Sequence, residues 1–163
     1  MELKEKIEDI VKIYPDKGSA LLPALHAAQE KYGHLTKEAM EEVAEILAIP
    51  PIEVYEVATF YTMYNKKPVG KYHVQVCTNV SCSLLGSEHL LDFLERRLEI
   101  KAGETTRDNI FTLTAVECLG SCGTAPVVQI NDTYYENLTE EKLDDILSKL
   151  NNTKEIVTTT ITL

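Results

Sequence analysis

Four cysteines carry the residue types and spacing in this chain that could do chemistry: Cys77, Cys82, Cys118 and Cys122. They form two close pairs, C-x4-C and C-x3-C, within 46 positions, and the first 76 residues contain none. Dense disulfide frameworks belong to small secreted chains. The charged start Met1-Glu-Leu-Lys-Glu-Lys has no apolar core and does not read as a secretory signal. Paired thiols outside that context point to metal binding or redox chemistry. Four thiolates facing one point suit zinc or an iron–sulfur cluster. Zinc knuckles favour C-x2-C, tolerate x4 and seldom use x3. A two-iron rhomb is longer than one ion and accepts wider loops, so the spacing favours a cluster. A zinc-stapled interaction module without a redox role stays open beside it, as do a disulfide or unliganded thiols. A dithiol–disulfide oxidoreductase is disfavoured, because the C-x-x-C that supplies attacking and resolving thiols is absent.

The neighbours of the cysteines are suited to tuning a metal centre. Gly120 and Gly123 let the backbone approach sulfur and aim N–H groups at it, and Ser81, Ser83 and Ser121 bring hydroxyl donors. No Lys or Arg occurs between Tyr72 and Leu94. A [2Fe-2S] centre on four thiolates carries a charge of about −2 that falls to about −3 on reduction, so a low potential is expected. The histidines are weaker ligands on position alone. His26 and His34 lie far from any cysteine, and His73 and His89 fall on a strand and a helix where a structural role is expected.

The elements that must gather these thiols are readable from periodicity. The first 65 residues follow helical spacing in four segments: Leu3 to Val11, a helix from near Ser19 to Tyr32, one capped by Thr36, and one opening at Pro51. The last would bury Val54, Val57, Ala58 and Tyr61. Together they suggest a small helical bundle over 1–67. At Pro68-Val69-Gly70 the period changes to two, and Tyr72, Val74 and Val76 alternate with His73 and Gln75 in a strand ending at Cys77. A helix over 84–98 carries Leu84, Leu91, Leu94 and Leu98, followed by strands at 110–116, 127–130 and 133–136, the last two joined at Asn131-Asp132. A final helix capped by Thr139 buries Leu143, Ile146, Leu147 and Leu150. The order β-α-β-β-β-α defines an α/β domain over 68–150 behind the bundle, an α+β arrangement as a whole, with 151–163 left as a Thr-rich tail. The 35 residues between Cys82 and Cys118 hold a helix travelling about 22 Å. The strand after it returns about 26 Å. A right-handed β-α-β crossover would therefore bring both cysteine loops to one sheet end, where open α/β sheets place ligands.

Composition narrows the partners. The 163 residues are 44% hydrophobic and 26% charged with a net charge of −10, as in an ordinary globular chain. Divided at Gly70, both halves are acidic, and no Lys/Arg run exceeds two residues, so phosphate backbones would be repelled and nucleic acid is not an expected partner. No apolar run approaches the roughly 20 residues of a membrane helix. A cytoplasmic chain without direct membrane insertion is the expectation. The seven glycines form neither GxGxxG nor GxxxxGK[ST], and no nucleophile has a base beside it, so neither dinucleotide binding nor a catalytic residue is expected.

At the cysteines the sequence resembles a known family. Cys77-Thr-Asn-Val-Ser-Cys82, Glu117-Cys-Leu-Gly-Ser-Cys122 and Ala125-Pro126 are similar to the 24-kDa-type subunit of respiratory complex I, an NADH:quinone oxidoreductase. That family also supplies small [2Fe-2S] subunits of NAD-linked hydrogenases and formate dehydrogenases. The likeness extends to Leu22-Pro-Ala-Leu-His-Ala-Ala-Gln29, Tyr32-Gly33, Glu56-Val-Ala-Thr-Phe-Tyr-Thr-Met63 and Gly103-Glu-Thr-Thr-Arg-Asp108, covering about residues 10–150. Arg107 departs from the family's usual Pro, and the tail is unmatched. The resemblance implies a helical N-terminal region followed by a thioredoxin-like domain. It implies one [2Fe-2S] cluster on Cys77, Cys82, Cys118 and Cys122, and an electron-transfer role without substrate binding. FMN and NAD(H) would sit on a partner flavin- and NADH-binding iron–sulfur subunit, within a complex on the cytoplasmic side of a membrane. The run Phe60-Tyr-Thr-Met-Tyr64 would then face a partner or the core rather than a cofactor.

Overall fold

The computed structural model describes residues 2–159, which divide into two compact units between Val69 and Gly70. The first unit is built from α1 (Leu3–Val11), α2 (Leu21–Tyr32), α3 (Lys37–Leu47) and α4 (Pro51–Phe60). Their limits follow local chemistry. Thr36 accepts a hydrogen bond from the Ala39 N–H at the start of α3, and Gly33 ends α2 at φ 78°. Pro51 opens α4 where no intrahelical N–H is lost. Leu3, Ile7, Leu25, Leu35, Val43, Leu47, Val54 and Ala58 close the core.

Tyr64, not Tyr61, completes that core. The helix ends at Phe60, Tyr61 turns extended at φ −85°, and the residue stays 38% exposed. Tyr64 is buried instead; its hydroxyl donates to the Leu22 carbonyl at 2.9 Å, and burial pushes its phenol up to about 12. Val57 is only partly buried. The Gln29 side chain clamps the same segment, donating to the Met63 carbonyl at 3.1 Å and accepting the Asn65 N–H at 2.6 Å.

The second unit holds β1 (Tyr72–Cys77), α5 (Val80–Leu84), α6 (Ser87–Leu98), β2 (Phe111–Val116), β3 (Val128–Ile130), β4 (Thr133–Tyr135) and α7 (Glu140–Thr159). The sheet order is β2-β1-β3-β4, with β1 and β2 parallel and the remaining pairs antiparallel. Register aligns Leu113, Val74 and Ile130 in one row across three strands. With Val76, Val128 and Phe111 they form an apolar face covered by Leu90 and Leu94 of α6 and Leu143 and Leu147 of α7. The turn after α6 runs back along the outer edge of β2, where Gly103 N–H reaches the Leu113 carbonyl and Leu113 N–H the Glu104 carbonyl. This protects an edge that would otherwise stay unpaired.

Two expectations need correction. The helix expected over 84–98 is two helices: the chain breaks at Leu85-Gly86, where Gly86 takes φ 96°, and Leu84 ends up 82% exposed on α5. Periodicity misses the break because five residues are too few for a repeat. The final helix also continues past Leu150 to Thr159, into the stretch expected as tail, where neither Gly nor Pro stops it. Residues 160–163 of that tail lie outside the described residues. Among the described residues no helix is long and apolar enough to cross a membrane.

Gly70 is fixed by close packing rather than by a turn. A Cβ there would lie 2.8 Å from the carbonyl carbon and oxygen of Ile110, and its N–H donates to Thr112 Oγ1 at 2.6 Å. Gly70→Ala is therefore expected to displace the start of β2 and cost about 1–3 kcal/mol. A urea melt checks this, and an unchanged midpoint would mean the strand shifts freely.

Candidate metal centre

Both cysteine loops leave the sheet at one end. Cys77 is the last residue of β1 and pairs in register with Val116, the last of β2. Its N–H bonds the Val127 carbonyl at 3.1 Å, which ties the site to the approach of β3. Thr78 then binds the Val116 carbonyl twice, by its N–H at 2.9 Å and by its hydroxyl at 3.0 Å. The first loop is thereby locked to the residue two before Cys118.

Asn79 opens α5 in an extended conformation, and this short helix carries Cys82 inward. Cys77 and Cys82 are buried together with Ala125, Val127 and part of Leu119. On the other side Cys118 and Cys122 are exposed. Gly120, at φ 75°, directs its N–H to Cys118 Sγ at 3.3 Å, a turn that a residue with a side chain enters only with strain. Cys122 starts a single 3-10 turn through Thr124, and the Ala125–Pro126 peptide that follows is cis.

The thiols interact with one another. Burial pushes the Cys77 thiol up, but N–H groups of Asn79 and Leu119 and contacts with the Cys82 and Cys118 thiols outweigh it and hold Cys77 below the ordinary range. Cys82 is pushed up, first by burial and then by Cys77; the Val127 N–H opposes this, and Cys122 adds like-charge repulsion. Among the described residues no group of three or more His, Cys, Asp or Glu side chains closes on one point as the ligands of a single ion do. What the site offers is two cysteine loops in mutual contact, with N–H donors aimed at three of the sulfurs. That donor set fits an iron–sulfur cluster, whose thiolates are stabilised by N–H···S bonds.

The residues expected to tune the site separate into two groups. Gly120 reaches a sulfur directly. The Ser121 hydroxyl is committed elsewhere, to Glu136 and Thr124. The Ser83 hydroxyl likewise donates to Glu88 at 2.9 Å. Ser81 sits half-buried beside Cys82, and Gly123 lies exposed in the 3-10 turn. His73 bonds Thr114 at 2.9 Å, and burial lowers its pKa. His89 pairs with Glu140 at 3.0 Å, and the His26 ring packs at a tilt against Tyr64, so these three have structural partners. Sequence reasoning misses Asn79, Glu136 and Tyr134. Asn79 could have been found as a helix start; the other two become neighbours only through pairing of β3 with β4.

The site agrees with what the chain is similar to. Residues 7–151 match the family described as thioredoxin-like [2Fe-2S] ferredoxin. A subunit of the NADH-quinone oxidoreductase of Rhizobium meliloti (strain 1021) is 51% identical over 147 residues, 90% of this chain and 88% of that protein. A subunit of the NADH-quinone oxidoreductase of Rickettsia conorii (strain ATCC VR-613 / Malish 7) is 54% identical over 148 residues, covering 89% of each. Among solved structures, an NAD+-reducing [NiFe]-hydrogenase in the air-oxidized state superposes with a TM-score of 0.68 at 25% identity. That match covers 82% of this chain and 23% of the hydrogenase chain. With its helical unit, mixed sheet and paired cysteine loops in place, the chain belongs to the thioredoxin-like [2Fe-2S] ferredoxin family.

Proposed function

We propose that this chain carries one [2Fe-2S] cluster on Cys77, Cys82, Cys118 and Cys122, within the domain spanning 68–150. It acts in electron transfer within an NADH:quinone oxidoreductase of complex I type, beside the subunit that binds FMN and NADH and on the cytoplasmic side of the membrane. The observation that carries this reading is the meeting of both cysteine loops at the shared end of β1 and β2, with thiols that shift one another's ionisation and N–H groups turned to sulfur. When bound, such a cluster takes up and releases one electron at a time. The chain's own part is to hold and tune it. N–H groups of Asn79, Leu119, Val127 and Gly120 offset negative charge on the sulfurs. Buried Cys77 and Cys82 keep water from one side, while exposed Cys118 and Cys122 leave the other open to a partner. No residue of the chain is assigned a catalytic role.

A place in an NAD-linked hydrogenase is the second reading, favoured by the superposed hydrogenase chain. The near full-length likeness to NADH-quinone oxidoreductase subunits weighs for the first. Metal analysis of the purified chain tests the cluster: about two iron and two sulfide per chain with a brown colour are expected. One zinc in a colourless protein would replace the relay with a zinc-stapled module. The subunits that co-purify then decide between the two parent complexes.

A further inference from the structure

We propose that Glu136 is a positioning residue for Cys122: its carboxylate, accepting from the hydroxyls of Ser121 and Thr124 on either side of that cysteine, holds the second loop in the shape that binds metal. This rests on the reading of Cys122 as a cluster ligand. Cys122 is exposed and lies in a single 3-10 turn, the least self-supporting part of the site. A turn of three residues has little internal bonding, so its shape must be imposed from outside.

Glu136 imposes it across the fold. It lies just after β4, 15 positions from Ser121 and 12 from Thr124, and one oxygen, Oε1, serves both hydroxyls; the Thr124 bond is 2.7 Å. The two hydroxyl oxygens are themselves 2.7 Å apart. Each has a single proton, so they cannot satisfy one another mutually; one acceptor within reach of both satisfies the pair. The carboxyl is held below its usual range by the same two hydroxyls, so it stays an acceptor at neutral pH. Neighbouring contacts run the same way. Tyr134 donates its hydroxyl to the Leu119 carbonyl at 3.1 Å, Asn137 N–H reaches the Thr124 carbonyl at 2.7 Å, and Leu138 N–H the Pro126 carbonyl at 3.2 Å. The stretch from β4 to α7 is thus a rail along which the loop 119–126 is pinned, and within it Glu136 is the side chain that clasps both sides of Cys122. At the first loop, Ser83 and Glu88 are five positions apart and merely close a local turn.

The test uses the full chain, loaded with its cluster, and follows iron release to an excess of an iron chelator by loss of visible absorption. Removing an outer partner of a metal ligand typically weakens binding 10–100-fold, so E136A is expected to release iron about tenfold faster than wild type. The double variant S121A/T124A should match E136A, and adding E136A to it should bring no further change. E136Q should fall between wild type and E136A, because a neutral acceptor keeps both bonds at roughly half the strength. Equal release from wild type and E136A overturns the proposal, as does E136Q releasing as fast as E136A. If E136A does not fold, S121A/T124A alone decides: wild-type release from it overturns the role. A wild-type chain that takes up no iron overturns the cluster reading first, and this role with it.

Discussion

Replacing Cys77 with alanine is expected to abolish the visible absorption of the purified chain and to remove about two iron per chain. Cys77 is the residue where β1 ends, and the thiols of both Cys82 and Cys118 help hold its own thiol below the ordinary range. It also receives N–H groups from Asn79 and Leu119, one from each cysteine loop. Loss of this one sulfur leaves both donors without an acceptor and takes away the thiol that joins the two loops. The backbone has reason to stay, because the Cys77 N–H bond to the Val127 carbonyl and the Thr78 bonds to Val116 do not use the side chain. Loss of colour with a native far-ultraviolet circular dichroism spectrum is therefore the predicted pair of results. Cys122→Ser should also bleach the chain, with an exposed oxygen substituting poorly for sulfur. Unchanged iron content in Cys77→Ala would remove that residue from the ligand set.

Leu113→Ala is expected to cost about 2–5 kcal/mol, the range for deleting a fully buried leucine. Leu113 is wholly buried on β2, in register with Val74 and, through it, with Ile130. Its backbone bonds to Gly103 and Glu104 are kept in the variant, so the loss is one of packing against α6 and α7. Domains of this size are stable by about 5–15 kcal/mol, so a large share would go. Each kcal/mol lowers the melting temperature by about 4–8 °C in a domain of 60–100 residues. Since β2 delivers the chain to Cys118, cluster retention on warming should fail at a lower temperature as well. Calorimetry of the full chain measures both, and a transition within one degree of wild type would mean that the row across β2, β1 and β3 is not the keystone of the core.

Much of this architecture is legible in one dimension because its causes are local. Period-two alternation over 72–77, the Thr36 cap, Gly33 and Pro51 each act within a few residues, and the elements they mark are present. The cysteine spacings, too, point to metal before any fold is drawn. What escapes is either too short for a repeat or made by distant neighbours. α5 has five residues; Tyr64 rather than Tyr61 fills the core because α4 stops at Phe60 and the chain turns there. The Ser121 hydroxyl, close to sulfur in sequence, serves Glu136 instead, a choice of acceptor that depends on where β4 ends. Sulfur type and spacing thus establish which chemistry this chain can support, since they are covalent facts. Which thiols are dry, which N–H groups meet them and what steadies Cys122 depend on strand pairing, because those contacts join residues that only the sheet brings within a few ångströms.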